Sequence, residues 1–163
     1  MADVTHSTGQ GERDVAGVVA PPPAIYAVAL LAGFGLDALL PSPTLPDEVA
    51  SPVGIVLVVV GGLLLASFLA ALRRAHTPVD PGSPTTRLVT TGPYRITRNP
   101  AYLGFALLYA GIAALATAPW AYVTLVPAIV VVDRLVIARE ERYLQRRFGE
   151  EYRRFKTQTR RWL

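Results

Sequence analysis

Residues 53–72 read VGIVLVVVGGLLLASFLAAL, an apolar run without a charged residue. A helix rises about 1.5 Å per residue, so about 20 apolar residues cross a hydrocarbon core of about 30 Å. This run meets that length and decides the fold class, an all-α membrane protein. Composition points the same way: 52% of the 163 residues are hydrophobic and the mean hydropathy is +0.36, high for a water-soluble domain.

Working outward, residues 24–40 are apolar apart from Asp37, and 101–118 and 120–138 are two more apolar stretches on either side of Pro119. Four transmembrane helices are therefore expected, at 24–40, 53–72, 101–118 and 120–138. Proline drives the residue before it out of the helical region, so Ala118-Pro119-Trp120 predicts a tight hairpin with spans three and four antiparallel. Residues 1–23 are polar and end in PPP at 21–23, which reads as a flexible leader. No basic region precedes the first span and no small-x-small site follows Leu40, so that span is expected to stay in the mature protein.

Charge sets the orientation. The segment between the first two spans has no Lys or Arg, the loop 73–100 has five arginines, and residues 139–163 carry nine basic residues against four glutamates. By the positive-inside tendency that loop and both termini are expected in the cytoplasm. In the tail, Leu144, Phe148, Tyr152 and Phe155 recur at helical steps among arginines, predicting a basic amphipathic helix at the membrane surface or capping the bundle. Such a helix beside apolar spans faces anionic headgroups, so lipid and not nucleic acid is the expected contact, and no obligate protein partner is inferred. With no cysteine and only His6 and His76, neither a disulfide nor a thiolate or histidine metal site is expected.

Two clusters lie at one membrane face. RLVTTGPYRITRNPAYLG, from Arg87 to Gly104, leads into span three; AREERYL, from Ala138 to Leu144, leaves span four. The hairpin makes them neighbours. The first offers the amides of a helix N-terminus near Ala101 and glycines, Gly92 and Gly104, that allow close approach; the second offers Glu140 and Glu141. Together they suit a ligand with aromatic, cationic and anionic parts. The bland reading of the same residues is a set of interfacial salt bridges and an aromatic belt around Tyr94 and Tyr102. A non-enzymatic four-helix transporter subunit or scaffold is the alternative, and it would need an ionisable residue deep in a span; Asp37 and Asp133 both lie towards span ends.

LVTTGPYRITRNPAYLG followed by REERYLQRRFGEEYRRFK resembles the cofactor region of the isoprenylcysteine carboxyl methyltransferase and phospholipid N-methyltransferase group of integral membrane enzymes. Gly92 and Tyr94 match its G-x-Y; Arg98, Pro100, Tyr102 and Gly104 match R-H-P-x-Y-x-G; Glu140, Glu141 and Leu144 match E-E-x-x-L; Phe148, Gly149 and Tyr152 match F-G-x-x-Y. The resemblance implies a methyltransferase that binds S-adenosylmethionine and releases S-adenosylhomocysteine, with a lipophilic acceptor arriving from the bilayer. It implies cofactor contacts from Thr86, Arg87, Leu88 and Val89, from Tyr94, Arg98, Asn99, Pro100, Tyr102 and Gly104, and from Glu140. Arg73 or Arg74 is expected to orient an anionic acceptor. Glu141 is a candidate base, with Asp133 and His76 as weaker ones. Two positions depart from the pattern: Asn99 stands where many relatives have histidine, which leaves a hydrogen-bonding residue but no proton carrier, and Val136 stands where prenylcysteine enzymes use an arginine.

Overall fold

The computed structural model describes residues 21–41, 46–78 and 85–163. His6 and most of the expected leader lie outside these residues, as does part of the loop 73–100. The described residues form five helices and no strand: α1 (Pro22–Leu39), α2 (Asp47–Arg74), α3 (Pro100–Leu115), α4 (Pro119–Val131) and α5 (Ala138–Gln158). A 3₁₀ turn, Gly92–Arg95, precedes α3, and a π-helical segment, Val132–Ile137, joins α4 to α5.

Proline starts three helices, at Pro22, Pro100 and Pro119, where its fixed φ suits the first turn and its missing N–H is not needed. In α2, charges do this work: Asp47 and Glu48 sit in the first turn and Arg73 and Arg74 in the last, each complementing its end of the helix dipole. Both α2 and α3 stop through left-handed residues. His76 has φ 51°, and the amides of His76 and Thr77 bond back to the carbonyls of Arg73 and Leu72. Thr117 has φ 47°, and Thr117 and Ala118 bond back to Ala114 and Ala113 in the same pattern. This is the Schellman stop, built here without glycine. A β-branched residue rarely adopts this conformation, so Thr117 carries local strain.

The expected third span, 101–118, thus ends at Leu115. With 16 residues, α3 is shorter than the three helices long and apolar enough to cross a membrane: Pro22–Leu39, Asp47–Arg74 and the continuous Pro119–Gln158. No break separates the fourth expected span from the tail, because the π-helical segment carries the helical path across residue 138. The break comes later, at Gly149 (φ 52°, ψ −119°), a conformation that favours glycine. The expected amphipathic tail helix is therefore bent at Gly149, and its second half turns Tyr152 and Phe155 inward, both buried.

Side by side the helices run α1, α4, α3, α2. The contact of α2 with α3 is made by removing side chains. A Cβ on Gly61 would lie 2.9 Å from the Gly104 carbonyl oxygen, and one on Gly111 would lie 2.8 Å from the Gly54 carbonyl oxygen. Gly54 and Gly61, like Gly104 and Gly111, are two helical turns apart, so the four glycines form one seam. Gly62, the next residue along from Gly61, faces open space. The core proper gathers Tyr26, Tyr102, Tyr109, Val132, Val136 and Ile137. Large apolar residues such as Leu31, Leu63 and Val126 point outward, each more than 60% exposed, as on a surface that meets lipid.

Candidate functional site

A cavity of about 160 Å³ opens where α3 begins and the π-helical segment hands over to α5. Its walls include Phe68 and Leu72 of α2, the strap of residues 85–89, Tyr94, the turn Arg98–Tyr102, and Glu140, Tyr143 and Tyr152 of α5. The two sequence clusters do meet here.

The strap is tied at several points. The Thr85 amide donates to the Tyr143 hydroxyl (3.0 Å), the Thr86 hydroxyl donates to the His76 carbonyl (3.2 Å), and the Tyr94 ring packs on Phe68. Gly92, at φ 64°, makes the turn that brings Tyr94 inward.

Glu140 is the central carboxylate. Tyr102 donates its hydroxyl to Glu140 Oε1 at 2.7 Å. Burial pushes the Glu140 carboxyl up to about 7, and the Tyr102 hydrogen bond only partly opposes this. The Tyr94 hydroxyl is pushed up as well, by burial and then by the charge of Glu140.

Glu141 has a different environment. Arg161 grips it through Nη2 to Oε2 (2.6 Å) and Nε to Oε1 (3.3 Å), while Arg98 Nη2 lies 3.2 Å from Oε1. Arg161 also reaches Asp133 (3.2 Å), and Trp162 Nε1 donates to the same carboxylate (3.0 Å). One arginine thus bridges two carboxylates across the π-helical segment. The hydrogen bond to Glu141 leads the causes that hold the Arg161 guanidinium in its charged form.

The segment 159–163 folds back under the turn that starts α3. The Arg98 amide donates to the Arg160 carbonyl (2.9 Å), and both the Thr97 hydroxyl (2.9 Å) and Asn99 Nδ2 (2.8 Å) donate to the Arg161 carbonyl. Asn99 sits at the N-cap of α3 without capping it, because its amide holds the tail. Arg98 Nε is buried and has no hydrogen-bond partner.

Of the residues singled out in sequence, Arg87, Leu88, Val89, Tyr94, Arg98, Asn99, Pro100, Tyr102, Glu140, Glu141, Leu144, Tyr152 and Phe155 line the cavity. The others go elsewhere. Thr86 braces the end of α2, and Gly104 packs on Gly61 and Leu65, so its missing side chain serves a helix contact instead of a ligand. Arg73 is exposed and outside the cavity, and Arg74 lines a separate groove. Glu141 and Asp133, expected as candidate bases, have their oxygens committed to arginines. His76 ends α2. Val136 is 1% exposed in the core, so an arginine side chain at this position would meet apolar packing instead of the cavity. Arg161 and Trp162 were missed: nothing in residue spacing signals that a tail folds back. Tyr143 carried a weak signal, being an aromatic one turn from Glu140, whereas Phe68 lies on α2 outside both motif clusters and carried none.

The sequence pattern described as "Phospholipid methyltransferase" matches residues 49–151, from the first turn of α2 to just beyond the bend in α5. An uncharacterized protein of Haemophilus influenzae is 57% identical over 35 residues, which is 22% of this chain. The chain spans 56% of the length of that relative. No solved structure matches.

Proposed function

The chain belongs to the phospholipid methyltransferase family, and from that premise we propose an S-adenosylmethionine-dependent enzyme that methylates a lipophilic small molecule or lipid at an isoprenylcysteine-carboxyl-methyltransferase-like site. The apolar helices and the family support the reading of an integral membrane methyltransferase. In this reading residues 24–138 form a four-span domain, while the loop 73–100, residues 139–163 and the cofactor site face the cytoplasm, as the arginine distribution favours.

The observation that carries the proposal is Glu140, a buried carboxylate pushed up to about 7 on the wall of a cavity that also holds Tyr94 and Tyr102. A cation placed there would restore its charge, and a sulfonium flanked by aromatic rings has that chemistry. Glu140, Tyr102, Tyr94, Asn99 and the strap Arg87–Val89 would hold the cofactor, with the uncapped first turn of α3 suited to its carboxylate. The cavity, about 160 Å³, is smaller than the ~300–1,000 Å³ of sites that enclose a whole ligand of this size, so part of the cofactor would extend beyond it. When bound, the group supplies a methyl on a positively charged sulfur, which leaves without an acid.

The chain's own contribution is alignment and exclusion of water, effects that in well-oriented systems reach about 7–11 kcal/mol. An acceptor amine or alcohol must lose a proton, and Glu141 and Asp133 are committed to Arg161. An acceptor carboxylate is already ionised and needs only a cation; Arg98 lines the cavity and would share its guanidinium between the acceptor and Glu141. A carboxylate acceptor is therefore favoured.

Calorimetry on detergent-solubilised protein tests the cofactor: saturable heat is expected with S-adenosylmethionine or S-adenosylhomocysteine, and none from either on folded protein overturns the reading. Glu140→Gln is expected to weaken binding about ten-fold or more, from loss of a charged hydrogen bond of about 1.5–3 kcal/mol. Radiolabelled methyl transfer into lipophilic acids, amines, alcohols and thiols then sorts the acceptor.

A further inference from the structure

We propose that a second groove, on the other side of the same strap, binds the anionic headgroup of a bilayer lipid. This groove, of about 750 Å³, runs between α2 and residues 87–96. Its α2 wall is Leu64, Ser67, Ala71 and Arg74, spaced three, four and three residues apart and hence on one helix face. The stripe grades from apolar to cationic over about 15 Å. At one end Leu64 adjoins the outward-facing belt; at the other Arg74 closes the last turn of the longest apolar helix. The opposite wall brings Arg87 and the outward-facing Ile96.

Three observations select the occupant. Neither Arg74 nor Arg87 has a carboxylate partner among the described residues, and no acidic residue lines the groove. Paired guanidinium groups fit phosphate or carboxylate oxygens by fork geometry. The groove also continues into the apolar belt, which a soluble anion would leave unused and an acyl chain would cover. Ser67 and Ala71 are small enough to let that chain lie against the helix.

The groove is distinct from the cavity at Glu140, but the two share a wall, Arg87 to Val89. A headgroup held by Arg87 would steady the strap from its outer side. The inference rests on the membrane reading and not on the identity of the cofactor.

The test uses the full chain in nanodiscs of mixed phosphatidylcholine and phosphatidylglycerol, with retained lipid counted by native mass spectrometry. Wild type is expected to retain phosphatidylglycerol preferentially. Arg74→Gln with Arg87→Gln is expected to cut that preference roughly ten-fold. Ala71→Phe, which keeps both arginines and fills the groove, is expected to cut it too. A control pair with the same charge change on the exposed face of α5, Arg153→Gln with Arg154→Gln, is expected to lower it far less, because that face meets headgroups only diffusely. An unchanged preference in the groove variants, an equal loss in the control pair, or displacement of the lipid by millimolar inorganic phosphate would each overturn the proposal. Calorimetry with S-adenosylmethionine on wild type and on Ala71→Phe, which leaves Arg87 in place, reads the cofactor site separately, so failure of one assignment is not failure of the other.

Discussion

Two contacts hold this protein in shape by opposite means. Between α2 and α3, four glycines strip the interface to backbone, and the helices meet without a hydrogen-bonding side chain at the seam. At the end where α3 begins, α5 and the tail are held by buried charge: Arg161 between Glu141 and Asp133, Arg98 beside Glu141, and Tyr102 on Glu140. The glycine seam is intolerant of an added atom and indifferent to pH. The charged end tolerates many shapes but not the loss of a partner, because an unpaired charge in low dielectric is costly.

The largest effect expected from this contrast is Arg161→Ala. Removing one partner of a buried pair costs about 3–5 kcal/mol, and about 2–3 kcal/mol is expected here because Arg161 is partly exposed and Arg98 stays beside Glu141. Thermal unfolding in detergent measures it, and a shift no larger than that of an exposed arginine would break the comparison. Next is Gly111→Ala, whose Cβ would meet backbone atoms of Gly54 and Val58 that cannot step aside. A loss of about 1–3 kcal/mol is expected, equal at low and high salt, whereas the Arg161 loss should shrink with salt.

The third test is pH. Burial raises the Glu140 carboxyl to about 7 from its ordinary 4.5, so its contribution to the ligand-free fold is fully present below about 4.5 and is lost as pH rises through 7. A cationic ligand reverses this by favouring the ionised carboxylate. Affinity for S-adenosylmethionine is expected to fall roughly ten-fold from pH 8 to pH 6, about 1.4 kcal/mol, with proton release visible as a buffer-dependent binding enthalpy. Glu140→Gln should abolish the dependence. The smallest effect is Gly62→Ala, which meets open space and should stabilise α2 by up to about 1 kcal/mol, in contrast with its neighbour Gly61.

That neighbouring pair marks the reach of sequence reading. Gly61 and Gly62 look alike in the string, but adjacent helix positions face about 100° apart and only one can meet α3. The proximity of Glu140 to Tyr102 was legible because a hairpin must bring both ends of its helices together. The environments of Glu140 and Glu141 were not: Tyr102 meets one and Arg98 with Arg161 the other, and the tail's fold-back depends on backbone carbonyls at Arg160 and Arg161 that carry no residue signature. Asn99 was read as a ligand-binding residue, and it lines the cavity, yet its side-chain amide is held by the Arg161 carbonyl.

The π-helical segment has a consequence for how such a site changes over time. A wide turn holds one residue more than an α-helical path needs, so tightening Val132–Ile137 to plain α-helix with every residue kept would rotate everything beyond it by about 100°. Glu140 would leave the cavity with its identity intact. For this protein the revealing change is one of helical register, and a relative could keep every motif residue and still lose the site through a single tightened turn.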